Sequence, residues 1–275
     1  MNITPPHRHP RAVAKGAWGF VTYRAYHHHG KGIIWRARQS RKGLLKRLHG
    51  MAVPPWQNPA YNALIGALFA LGSVLFIAGS VLSLGVGSLS AFQVGLVFFT
   101  GSIPFTAAAF LQNLQAANAI DEFAEAPENA RFAIVGWQPH KLGWLSTITQ
   151  FIGTIAFNFN TFDALSPSDA WYLQDLTIWL PGIIGSVLFL VSGYLAFAEV
   201  SHGAWSWNPR DLDWQIVFIN LAGCVLFMAS GIMAFVPSGA EAAWITSGAI
   251  WLTLGGAVCF LLSALLLVSE SRKAA

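Results

Sequence analysis

The chain has 275 residues, of which 55% are hydrophobic and 10% charged, and its mean hydropathy is +0.52. Soluble domains carry about 25% charged residues, so this composition excludes a water-soluble globule and asks for a bilayer as solvent. The net charge of +4 is unevenly spread, since no acid precedes Asp121 while residues 1–50 are rich in Arg and Lys; two cysteines in apolar runs exclude a disulfide framework.

Residues 1–55 read as a basic cytoplasmic arm with no secretory signal pattern. At 100° per residue, Ile33, Ile34, Ala37, Leu44, Leu45 and Leu48 share one face of an amphipathic helix over 33–48, although Arg41 intrudes on that face and Gly43 weakens the helix. A basic amphipathic helix lies on an anionic leaflet, each cation contributing about 1 kcal/mol. Arg36, Arg38, Arg41, Lys42, Lys46 and Arg47 are therefore the expected lipid-surface contacts, with a nucleic acid as the disfavoured partner. His7, His9, His27, His28 and His29 lack the fixed spacing of a tetrahedral site, and no metal is assigned to them.

A spanning helix takes about 20 mostly apolar residues. Six stretches qualify, at 61–84, 92–114, 145–162, 176–199, 214–236 and 243–268, the third being the shortest. Pro104 falls mid-span and predicts a kink, whereas Pro181 falls in first turns, where proline is tolerated. The links at 85–91, 163–175 and 237–242 contain no Lys or Arg; every basic residue lies in the arm, in 117–143, in 200–213 or in the tail. Positive charge stays inside, so both termini are expected in the cytoplasm of a multi-pass protein of the cell membrane. Tryptophans at span edges, such as Trp56, Trp137, Trp144, Trp171 and Trp214, suit the headgroup level.

The even spans share Gly101-Ser-Ile-Pro-Phe105, Gly185-Ser-Val-Leu-Phe189 and Gly256-Ala-Val-Cys-Phe260, each followed ten residues after the Phe by Gln115, Glu199 or Glu270. The odd spans echo one another as Asn62, Gly66 and Phe69, then Gln150, Gly153 and Phe157, then Asn220, Gly223 and Phe227. The fold class expected is all-α, with about six spans arranged as three in–out–in hairpins in parallel internal repeats. The divisions are the arm at 1–55, hairpins at 56–116 and 144–200, a linker at 117–143, and a third hairpin with its tail at 201–275.

Asn or Gln, then Gly, then Phe in one helix, followed by Gly-Ser/Ala-x-x-Phe in the next, resembles the YrhK-like domain of bacterial membrane proteins. The matching residues are Asn220, Gly223, Phe227, Gly256 and Phe260, and Asn62, Gly66, Phe69, Gly101, Ser102 and Phe105; the middle hairpin departs most, with Gln150 in place of Asn. The resemblance implies a membrane location and brings no catalytic residues.

Six polar groups, Asn62, Gln115, Gln150, Glu199, Asn220 and Glu270, enter or leave the bilayer on the cytoplasmic side. They either surround one vestibule or bond between helices, a contact typically contributing about 0.6 kcal/mol. Glu199-Val-Ser-His202 matches one half of a di-iron ligand motif, but a second copy is missing. Asn158 and Asn160 are expected to cap a helix end. No nucleophile, metal set or cofactor loop is convincing; Gly85-Val-Gly87 lacks a preceding strand. The function expected is thus non-enzymatic: a membrane-organising or partner-binding module using inner-leaflet lipids, with a transporter or channel for a small neutral solute as the alternative.

Overall fold

A computed structural model describes residues 13–28, 31–45, 54–120, 132–238 and 242–274. The protein is mostly helical, but the arm departs from the all-α expectation. Val13–Lys15 (β1), Tyr23–His28 (β2) and Lys31–Arg36 (β3) form an antiparallel meander in the order β1-β2-β3, with Arg24 opposite Trp35. Among the described residues of the arm only Ala37–Arg41 (α1) is helical, so over 33–45 the expected amphipathic helix is corrected to a strand and one helical turn; residues 46–48 of that expectation lie outside the described residues. The physical reason is legible afterwards: Tyr23, Tyr26, Ile33, Ile34 and Trp35 are β-formers on either side of glycine.

Six long helical segments follow. They are Pro59–Ser83 (α2), Ala91–Asn118 (α3), Leu142–Asp163 (α4), Leu180–Ser201 (α6), Leu212–Met233 (α7) and Ala243–Ala274 (α8). A short helix, Trp171–Gln174 (α5), enters α6 through a π-helical turn at Asp175–Trp179. Local chemistry sets the ends: Asn58 accepts from the Tyr61 N–H before Pro59, Ser90 and Gln93 make a capping box, and the Asp211 carboxylate caps α7. The link between α2 and α3 turns through Gly85 and Gly87, at φ +90° and +109°. α3 continues unbroken through Pro104, and Pro181 sits in the first turn of α6.

Among the described residues, five helices are long and apolar enough to cross a membrane: Pro59–Ser83, Ala91–Asn118, Trp171–Ser201, Leu212–Met233 and Ala243–Lys273. The protein is a multi-pass membrane protein. α4 falls short because Thr147, Gln150, Thr154, Asn158 and Thr161 recur every three or four residues along it. Thr147, Thr154 and Thr161 of that stripe are buried.

The helices pack in chain order, α2 on α3, α3 on α4, α4 on α6, α6 on α7 and α7 on α8, and α8 closes the ring against α2. Large apolar side chains such as Leu71, Val74, Ile103, Val187, Val191 and Leu265 are exposed, whereas the buried faces are rich in Gly, Ser and Phe. That is the packing expected in lipid, where small residues bring backbones together. One contact recurs in three helix pairs. A Cβ on Gly72 would lie 2.5 Å from the Phe105 ring, one on Gly153 2.9 Å from Phe189, and one on Gly223 2.7 Å from Phe260. Gly101, Gly185 and Gly256 receive Phe76, Phe157 and Phe227 in return. In the first pair this contact uses Gly72 and Phe76 instead of Gly66 and Phe69; Gly66 packs on Val268 and Ala264 of α8.

Candidate functional site

The short α1 leaves the sheet directly over one end of the ring, and its cations turn inward. Arg38 Nη1 donates to Asp213 Oδ1 and, at 2.6 Å, to Glu270 Oε1. Arg41 holds Glu199 through two parallel bonds of 2.5 and 2.8 Å, a fork matched to a carboxylate. Lys42 Nζ donates to Glu270 Oε2, and Gln39 Nε2 to Asp213 Oδ2 at 2.8 Å. Glu199, Asp213 and Glu270, from α6, α7 and α8, are each more than nine-tenths buried.

Amide groups continue the clasp. Asn62 Nδ2 donates to the Lys42 carbonyl at 2.8 Å, and Gln115 Nε2 donates to Asn62 Oδ1 at 2.9 Å and to the Trp56 carbonyl at 2.6 Å. Gln57 Nε2 donates to the Ser40 carbonyl at 3.0 Å. In the first turn of α4, Gly143 has no side chain where Arg41 and Glu199 meet; a Cβ there would lie 1.7 Å from Arg41 Nη1. Burial, reinforced by the Arg38 charge, pulls the Lys42 ammonium down to about 8. For Arg38 burial opposes the charge, but Glu270 and Asp213 outweigh it and hold its pKa above the ordinary value.

These groups enclose a vestibule of about 110 Å³. Asn62, Gln115, Gln150, Glu199 and Asn220 line it, and Glu270 closes its rim through Arg38 and Lys42. Asn62 and Gln115 also bond to each other between α2 and α3. Gln112 and Gln150 line the space without a hydrogen bond among the described residues.

Below it, Phe105, Phe189 and Phe260 form the vestibule floor and, with Phe76, Phe157 and Phe227, surround a space of only about 10 Å³. Ring centroids lie 4.9 Å apart for Phe157 and Phe189, 5.5 Å for Phe76 and Phe105, and 5.2 Å for Phe227 and Phe260. Phe76, Phe157 and Phe227 then form the floor of a second cavity, about 240 Å³, at the far end of the ring. Asn160, Thr161, Ser230 and Thr253 also line that cavity.

Several expected roles change. Arg38, Arg41 and Lys42, expected on lipid, face carboxylates inside the bundle, and Arg36 lies 3.8 Å from Asp211. The sequence could not set this register because acids more than 150 residues away complete it. Lys46, Arg47, His7, His9 and His29 lie outside the described residues, and His27 and His28 fall on β2. His202 does not share a helix face with Glu199: it ends α6 in a left-handed turn at φ 51° and meets Thr22 Oγ1 at 3.0 Å. Asn158 bonds Thr106 of α3 at 3.0 Å, and Asn160 bonds the Ile178 carbonyl at 2.8 Å, so both link elements instead of capping a helix. Missed altogether were Gln57, Asp213 and the β-sheet; Asp213 was visible only as an acid at the edge of an apolar run.

No protein-family model, no curated protein and no solved structure matches the chain.

Proposed function

We propose that the protein is a gated path for a small neutral solute through the middle of a six-helix ring. The observation that carries this reading is the stacking of two cavities on opposite sides of the six-phenylalanine constriction, three of its rings forming the floor of one cavity and the other three the floor of the other. A space of about 10 Å³ barely reaches the volume one water needs, and a dry aromatic constriction closes a path without a charged barrier. The ion-paired arm is a second closure at the vestibule mouth. The membrane-organising alternative loses its main support once Arg38, Arg41 and Lys42 face the bundle.

In this reading α4 is the sixth crossing, its Thr, Gln and Asn stripe belonging to the path instead of to lipid. The three Gly–Phe pairs support three parallel hairpin repeats around one axis; the resemblance to YrhK-like domains shares Gly101, Phe105, Gly223, Phe227, Gly256 and Phe260 with them, but not Gly72 and Phe76. The charge asymmetry supports a cell-membrane protein with both termini, the arm and the vestibule mouth on the cytoplasmic side. No step calls for catalysis or a cofactor.

Stopped-flow light scattering on sealed vesicles, with glycerol and urea as neutral probes, tests the path. The Glu199→Ala, Glu270→Ala variant, which frees the arm, is expected to raise permeability above wild type, and Phe189→Ala to raise it further. Permeability equal to empty vesicles for both variants rules the path out.

A further inference from the structure

Arg41 and Glu199 form the wall between two cavities. One is the vestibule; the other, about 290 Å³, lies between the sheet and the first turn of α4, where Thr22, Arg24, Trp35 and His140 also line it. Trp35 is 8% exposed, and its indole Nε1–H has no acceptor among the described residues. Native proteins leave few buried donors unpaired, and an indole N–H can only donate. Arg24, opposite Trp35 in the β2–β3 ladder, lays its guanidinium over the indole at 5.2 Å from the ring centroid. It has no carboxylate partner among the described residues. Among those lining this cavity, the one carboxylate is Glu199, already held by Arg41.

A neutral solute would not use this arrangement. A cavity with a buried N–H donor, a guanidinium beside it that no described carboxylate neutralises and a second guanidinium in its wall suits a tetrahedral oxyanion, because guanidinium forks match phosphate oxygens. The geometry points to a phosphate-binding site in the cavity between the sheet and α4, taking inorganic phosphate or the headgroup of an anionic phospholipid, with Arg24 and the Trp35 N–H as its specific donors. Its consequence for gating rests on the solute path proposed above: phosphate sharing Arg41 with Glu199 weakens one of the ion pairs that hold the arm in the vestibule.

Inorganic phosphate titrated into the full chain in neutral detergent, followed by ³¹P line broadening, is expected to show one saturable site. Arg24→Gln should weaken it about tenfold, the loss of one charge-assisted contact, and Trp35→Phe, which keeps a ring but removes the N–H, about threefold. Unchanged thermal unfolding of both variants without phosphate separates binding from folding. Native mass spectrometry from nanodiscs of mixed phosphatidylglycerol and phosphatidylcholine distinguishes the sources. Arg24-dependent retention of phosphatidylglycerol assigns the headgroup, whereas phosphate binding without lipid retention assigns the free ion. No saturable binding of either, or binding that both variants leave unchanged, overturns the site. Binding without solute flux leaves the site standing and removes only its link to gating.

Discussion

Arg41 and Glu199 show how much a single contact depends on what surrounds it. Removing one partner of a buried ion pair strands the other charge and costs about 3–5 kcal/mol, and the 17% exposure of the Arg41 side chain reduces that cost. Glu199→Gln is therefore expected to release α1, seen as faster trypsin cleavage after Arg38 or Arg41. Gly143→Ala should do the same without touching a charge, because the added methyl occupies the place of the Arg41 guanidinium. If cleavage in Gly143→Ala stays at the wild-type rate, the pair does not hold the arm. His202 gives a pH handle on the cap. Burial, then the Arg36 charge, lowers its pKa below the usual 6.5. The released form takes up the proton first, so docking of the sheet is at full strength above pH 6.5 and weakens as acid brings the pH below it. Wild type should lose thermal stability from pH 7 to pH 5.5 more steeply than His202→Gln; parallel profiles would discount His202 as the cause.

At the scale of elements, the Gly–Phe contacts replace the hydrophobic effect that lipid removes. Overpacking a tight contact typically costs about 1–3 kcal/mol, so Gly185→Ala and Gly223→Ala should each lower the unfolding temperature in detergent. Gly87→Ala, with only Leu82 near a Cβ, should strain its own turn and leave the helix pairs intact. Similar losses at all three positions would show that backbone conformation, not the ring contact, matters at Gly185 and Gly223. The helices were legible because long apolar runs have few alternatives, and their ends agree with Asn58, Ser90 and Asp211 as caps. The arm was not. Residues 33–48 satisfy a helical period on paper, while pairing of β3 with β2 and docking on α6 override it through contacts such as Thr22 with His202.

For the whole molecule, the ring and its cap carry different predictions. Deleting residues 1–45 opens the vestibule mouth but leaves the phenylalanines in place. Permeability to urea should then rise less than in a variant that combines the deletion with Phe189→Ala. Equal flux in the two would assign the closure to the arm alone. Membrane-impermeant labelling of a cysteine added after Ala275, in a background with Cys224 and Cys259 replaced by Ala, should succeed only after the vesicles are opened from the cytoplasmic side. Labelling of intact cells would reverse the orientation.

Composition and charge placement alone determined that this chain belongs in a membrane, with apolar runs that become helices and polar residues at one end of them. Those properties are local sums over the sequence, and neighbouring residues suffice to read them. Tertiary structure decided what the charges do. Arg38, Arg41 and Lys42 could equally have met lipid phosphates, and only the packing of α7 between α6 and α8 brings Glu199, Asp213 and Glu270 together beneath them. A buried carboxylate needs a cation more urgently than a solvated surface does, and that imbalance draws the arm inward.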